Sequence, residues 1–132
     1  MIVVVDFNIL FSALLKFPNK YAETIFLSEN QFYTPRFAIN EFFKHKEKIF
    51  SLSDLEDDEI IDLLYLLFRN IHIEDEKHIS IESLQTAYQL CKNIDEKDTI
   101  YIALTIDLNA KLWTGDKQLK TGLRKKGFDN FF

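Results

Sequence analysis

Residues 2–5, "IVVV", form an unbroken and mostly β-branched apolar run that ends at once in Asp6. A run of this length and composition predicts a strand buried on both faces. Helical periodicity follows over residues 8–16 and again over 20–29, with Asn19 placed to cap the second helix. "FYT" at 32–34 predicts a second short strand, and Thr34-Pro35 starts a helix to about residue 50, with Pro at its first position. Ser53-Asp54-Leu55-Glu56 has capping-box spacing ahead of "IIDLLYLLF", which predicts a helix to about Arg69. Residues 71–73 predict a third strand. Helices over 80–92 and 96–109 come next, with Asp95 as the cap of the second. "KLWT" at 111–114 predicts a fourth strand, and a last helix over 117–126 closes on basic residues and Gly127. Phe128 onward adds an edge strand at most.

Strands separated by helices imply an α/β fold with a parallel sheet covered on both faces. Crossovers in such sheets are right-handed, and ligands sit beyond the carboxyl ends of the strands, where the strand order reverses. No repeat or linker interrupts the pattern, so residues 1–132 read as a single domain with enough chain to bury a core.

Composition narrows the partners. Apolar residues make up 47% and charged residues 28%, the balance of an ordinary globular domain. The 13 Phe suggest a dense core and an apolar surface for a partner. A net charge of −5 excludes an overall basic field, so any nucleic-acid contact must be local. One cysteine, Cys91, excludes an internal disulfide and suits a reducing cytoplasm. That cysteine and three scattered histidines, His45, His72 and His78, give no zinc-ligand spacing. The opening apolar run reaches Asp6 too soon for a signal peptide or membrane span.

With 21 acidic residues in the chain, position matters more than number. Asp6 leaves the carboxyl end of the first strand, and Asp116 stands two residues past the fourth. Glu41 lies in the second turn of the helix after the second strand, where side chains tilt back toward the helix start. Asp98 opens the helix that feeds the fourth strand. If that strand is parallel to the first, Asp98 begins at the same edge, and the preceding helix must then cross the fold. Four carboxylates could therefore converge. Each close pair would repel by about 4 kcal/mol at about 4 Å, for an effective dielectric near 20. A divalent cation offsets such repulsion, and an all-oxygen donor set suits Mg²⁺ or Mn²⁺. A cation so held supports phosphodiester hydrolysis.

Each acid also has a plainer reading. Asp116, Asp95 and Asp98 have the positions of helix caps, and Glu41 that of a solvated residue beside an apolar stripe. Asp6 is harder to explain away, because a lone carboxylate between a buried strand and an apolar helix is costly. Asn8 caps a helix or orients Asp6, and Thr114 closes a strand or holds a ligand. His45, one turn past Glu41, reads as a surface residue.

The ordered blocks "VVVDFNILFSALL", "YTPRFAINEFFKHKEKI" and "DEKDTIYIALTIDLNAKLWTGDKQL" resemble PIN domains. The likeness lies in a strand ending in Asp with Asn two residues on, a Thr-Pro ahead of a helical Glu, an Asp opening an alanine-containing helix, and a closing Thr-x-Asp. The resemblance implies a Rossmann-like α/β/α sandwich with a parallel sheet of four or five strands. It also implies Mg²⁺- or Mn²⁺-dependent nuclease activity, commonly on RNA, with Asp6, Glu41, Asp98 and Asp116 as metal-site acids and Asn8, Asp95 and Thr114 in support. Many members are VapC-type toxins that pair with an antitoxin and often form homodimers. Phe7 departs from the small hydroxyl residue usual at its position.

Two basic segments flank the acids. Lys44, Lys46 and Lys48 follow Glu41, while Lys117, Lys120, Arg124, Lys125 and Lys126 follow Asp116. They read either as phosphate contacts for an RNA strand or as solvated helix faces. Two other classes compete. A receiver-type phosphoacceptor domain would place Glu74 or Asp75 at its site but needs paired acids after the first strand, where Asp6 stands alone. A non-catalytic PIN-like binding module would keep the fold, but the presence of all four acids counts against it.

Overall fold

The computed structural model describes residues 1–132 and contains four strands, β1 (Ile2–Val5), β2 (Gln31–Pro35), β3 (Ile71–Glu74) and β4 (Lys111–Trp113). They form one all-parallel sheet in the order β3-β2-β1-β4. β1 is central, aligning Val3 with Phe32 on one side and with Lys111 on the other. Neighbours on both edges and layers on both faces explain its composition: Val3, Val4 and Val5 have no exposed surface.

Helices α1 (Phe7–Leu15) and α2 (Lys20–Leu27) connect β1 to β2, and α3 (Phe37–Leu52) and α4 (Asp57–Arg69) connect β2 to β3. Helices α5 (Ile81–Cys91) and α6 (Thr99–Asp107) then carry the chain back to β4, and α7 (Lys117–Lys125) follows. The first two connections run one way along the sheet and the third reverses, so right-handed crossovers put α1–α4 on one face and α6 on the other. This is the Rossmann-like α/β/α sandwich, with four strands. α6 packs across β1, β2 and β4, and α5 packs on α6. Helix α5 starts at the far end of α6, where the Ser80 amide and the Ser83 hydroxyl donate to Asp107 Oδ1 at 3.1 and 3.0 Å. α5 therefore runs antiparallel to α6, and this hairpin is the crossing that lets α6 begin at the carboxyl edge.

Several local expectations change. Asp6, not Asn8, caps α1, accepting from the Ile9 amide at 3.0 Å. Pro35 ends β2 instead of opening α3, because its ring still fits an extended strand whose ladder continues to Glu74. α3 has no cap from its own flanking residue; the Phe37 amide instead donates to Glu76 Oε1 at 2.6 Å, across 39 residues of sequence. The capping box before α4 uses Glu56 and Glu59, since the Ser53 hydroxyl is occupied in donating to the Leu14 carbonyl at 2.8 Å. The helix expected over 96–109 starts with a 3-10 turn, Glu96–Asp98, capped by Asp95. The edge strand reduces to one bridge between Leu112 and Phe131. Gly127 does end α7, with φ +91° and the Phe128 amide donating to the Leu123 carbonyl. No helix is long and apolar enough to cross a membrane.

The strand order also removes the receiver arrangement, which requires the third strand beside the first. Here β2 lies between them. Glu74 and Asp75 stand at that distant edge, Glu74 in contact with the His72 and His78 rings and Asp75 in ion pairs with Arg36 and Lys77.

Candidate active site

The order reverses between β1 and β4, which makes the gap beyond their carboxyl ends the switch point of the sheet. Asp6 stands there, 4% exposed, its amide donating to the Trp113 carbonyl at the end of β4. Burial pushes its carboxyl up to about 6, and the charges of Asp116 and Glu41 add to the rise. Hydrogen bonds from the buried Thr114 hydroxyl and the Ile9 amide oppose it.

Asp98 sits where the 3-10 turn passes into α6 and makes no capping hydrogen bond. Burial, then the charges of Asp95, Asp6, Asp116 and Glu41, push its carboxyl up to about 7. Asp98 therefore lies close enough to Asp6, Asp116 and Glu41 for their charges to raise its carboxyl. Asp116 caps α7 through Oδ1, accepting from Leu119 at 3.0 Å, and its own amide donates to Thr114 Oγ1 at 3.1 Å. Glu41 Oε1 accepts from the Tyr101 hydroxyl at 2.5 Å. Burial, and then this bond to a carboxylate, raise the phenol well above its ordinary range, so Tyr101 acts as a fixed donor.

The acids of the candidate site thus already carry hydrogen bonds. Asp6 and Asp116 each give one oxygen to a helix amide, and Glu41 gives one to a phenol. Asp6, Phe7, Asn8, Glu41, Asp98 and Tyr101 enclose a cleft of about 30 Å³, with Asp116 outside that lining. A volume of this size holds roughly two waters, or one ion and a water. Nowhere do three or more His, Cys, Asp or Glu side chains already close into a cation cage. The donor set nevertheless fits a hard cation that keeps much of its water shell and takes few protein oxygens, as Mg²⁺ does. Mutual repulsion among the acids is what such a cation would relieve.

The remaining expected residues divide. Asn8 is exposed in the first turn of α1 and lines the cleft. Asp95 is exposed and acts on Asp98 through its charge. Lys44 and Lys117 are exposed near Glu41 and Asp116 in sequence, whereas Lys120 and Arg124 lie over the Phe131 ring at 5.7 and 5.1 Å. Arg124 Nε also donates to Asp129 Oδ1 at 2.6 Å. His45 is half-buried, not a surface residue, with its ring 5.6 Å from that of Phe7. That packing is the use the chain makes of its unusual Phe7, itself 6% exposed. Sequence reasoning missed Tyr101; its signal was an aromatic one turn after Asp98, hence on the same helix face.

Comparison with curated proteins returns no match. Among solved structures, the crystal structure of VapBC2 from Rickettsia felis bound to a DNA fragment from their promoter matches with a TM-score of 0.65 and 18% identity. The match covers 100% of this chain and 96% of the other, a likeness of fold. The family model for the PIN domain matches residues 4–131. Matched over nearly its whole length, the chain belongs to the PIN-domain family.

Proposed function

We propose that this protein is a Mg²⁺- or Mn²⁺-dependent ribonuclease that cuts RNA internally at the cleft lined by Asp6, Glu41 and Asp98, with Asp116 beside it. The observation that carries this reading is the gathering of Asp6, Glu41 and Asp98 around one cleft, where burial and four neighbouring acids push the Asp98 carboxyl up. Family membership supports it, as does the position of the cleft at the switch point.

Asp6, Glu41, Asp98 and Asp116 would hold the ion, with Asn8, Asp95 and Thr114 in support. Bound there, a divalent cation offsets the clustered charge and lowers the pKa of a water it carries. The protein's own work is positioning. Thr114 and the Ile9 amide orient Asp6, Tyr101 orients Glu41, and the Leu119 amide orients Asp116. Before an ion binds, Asp98 holds or releases a proton near neutral pH. Exposed Lys44 and Lys117 are suited to meet the phosphates of a single strand.

The likeness to a VapBC complex supports a role as the toxin of a toxin–antitoxin pair, acting in the cytoplasm, where free, buried Cys91 stays reduced. Exposed Ile61, Tyr65 and Leu66 on α4 offer apolar surface for a protein partner, an antitoxin or a second copy of the chain.

The test is cleavage of a labelled single-stranded RNA with Mn²⁺, Mg²⁺ or EDTA, by wild type and Asp98→Asn purified identically. Cleavage that needs metal and vanishes in the variant supports the reading. If both proteins are inert and Mn²⁺ produces no thermal shift, the acids serve only as caps and the binding-module reading takes over.

A further inference from the structure

Beside the acid cleft lies a second, larger cavity of about 410 Å³, set between the start of α3 and the 3-10 turn leading into α6. These are the segments that supply Glu41 and Asp98. Asn40 in its lining adjoins Glu41, and Lys97 and Thr99 flank Asp98. The Phe37 ring forms part of the wall and stands 6.4 Å from that of Tyr101, which holds Glu41. The two hollows are thus lined by sequence neighbours on the same two segments and are unlike in chemistry.

The lining does not describe an anion site. Arg36 and Lys97 are balanced by Glu76 and Glu96. Arg36 reaches Asp75 at 3.6 Å and Glu76 caps α3, while Lys97 takes part in no ion pair. What remains free is an exposed carboxamide, Asn40, between half-buried Phe37 and Ile100, with one unpaired ammonium at the rim. A carboxamide donates and accepts at once, which suits the mixed edge of a base. The apolar side chains of Phe37 and Ile100 suit its face, and single-stranded RNA is recognised by stacking and edge contacts of this kind. The volume lies in the range of small-molecule sites.

We propose that this cavity is a nucleobase subsite, which receives the base of a nucleotide next to the scissile phosphate, with Asn40 reading its edge and Lys97 meeting its phosphate. The assignment of the scissile phosphate rests on the ribonuclease reading above; the binding of a base does not.

The test is titration of the ¹⁵N-labelled protein, in metal-free buffer, with AMP, GMP, CMP and UMP in turn, and with ribose 5-phosphate as the control lacking a base. The expected result is movement of the Asn40, Lys97 and Ile100 amide resonances that saturates at roughly millimolar ligand with at least one nucleotide and not with the control. Asn40→Ala, whose spectrum also reports its folding, weakens that binding about tenfold. Equal movement with ribose 5-phosphate would mean a phosphate site and overturn the base assignment. No movement at these residues by about 20 mM, or an unchanged affinity in Asn40→Ala, would overturn it too. Neither metal nor cleavage enters the titration, so loss of the nuclease reading would show separately, in the RNA cleavage assay.

Discussion

The Tyr101 hydroxyl donates to Glu41 Oε1 at 2.5 Å, joining the helix that directly follows Asp98 to the helix that carries Glu41. The ring is 2% exposed and its proton is held far above physiological pH, so the phenol fixes one carboxylate oxygen at all working conditions. Tyr101→Phe keeps the ring and deletes only the donor. We expect the variant to fold, with a stability loss of about 1 kcal/mol. Its Mn²⁺ affinity should fall by about 10–100-fold, the usual result of removing a group that orients a metal ligand. Calorimetric Mn²⁺ titration checks this, and wild-type affinity would show that Glu41 is oriented without the phenol.

The raised carboxyls have a consequence for stability. Asp6 and Asp98 titrate at about 6 and about 7 in the fold, against 3.8 as their ordinary value. Between those limits the folded state binds more protons than the unfolded chain, so stability falls as pH rises through the window. Asp75 and Asp107 are shifted down and act in the opposite sense, but only where pH drops below the ordinary carboxylate range. The metal-free protein should therefore melt higher at pH 5 than at pH 8. Asp98→Asn should flatten that slope and stabilise the protein at pH 8 by about 1–2 kcal/mol, after allowance for solvent screening at a part-exposed site. Melting curves over pH 5–8 with EDTA decide it, and a wild-type curve that rises with pH would contradict the mutual repulsion of the acids.

The sheet and the site edge were legible because buried parallel strands declare themselves: "IVVV" admits little else once Asp6 stops it. The placement of Asp6, Glu41, Asp98 and Asp116 near one sheet edge was legible from their positions after strands and at helix starts, which the parallel topology brings to the same side. Two structural hydrogen bonds between distant segments show what could not be read. Glu76 capping α3 and Tyr101 holding Glu41 link residues 39 and 60 positions apart, and local spacing carries no trace of such pairs. The Ser53 capping box failed for the same reason, its hydroxyl being claimed by α1, which packs nearby only in the fold. A helix cap and a metal-site acid also look alike in sequence, since both favour a carboxylate before a helix. In Asp6 and Asp116 the structure shows the cap, and the metal-site role is the proposal made above.

The tertiary cap on α3 gives a prediction outside the acid cleft. Glu76 Oε1 is the side-chain acceptor that holds the Phe37 amide at the helix start, and α3 has no cap from its flanking residue. Glu76→Ala should cost about 1–2 kcal/mol in urea unfolding, the range for a lost cap with a half-buried amide left over. Glu76→Gln keeps an acceptor oxygen and should recover most of that loss. Equal losses in both variants would locate the effect in charge and not in the cap.

The basic residues after Asp116 separate into two groups that salt dependence can distinguish. Arg124 is engaged by Asp129 and by the Phe131 ring, and Lys120 covers the same ring, so both hold the chain's final residues against α7. Lys117 is exposed and directly follows Asp116, and Lys44 is exposed three residues past Glu41. A phosphate contact to a single strand contributes a slope of about −0.7 to the logarithmic salt dependence of binding. Lys117→Ala and Lys44→Ala should each weaken RNA binding and make the slope shallower by about that amount. Arg124→Ala should leave the slope unchanged and lower the melting temperature slightly. Fluorescence anisotropy of a labelled single-stranded RNA across 50–200 mM salt, with EDTA present to prevent cleavage, measures all three. A shallower slope in Arg124→Ala would show that the guanidinium leaves Asp129 for the nucleic acid, and would extend the binding track along α7.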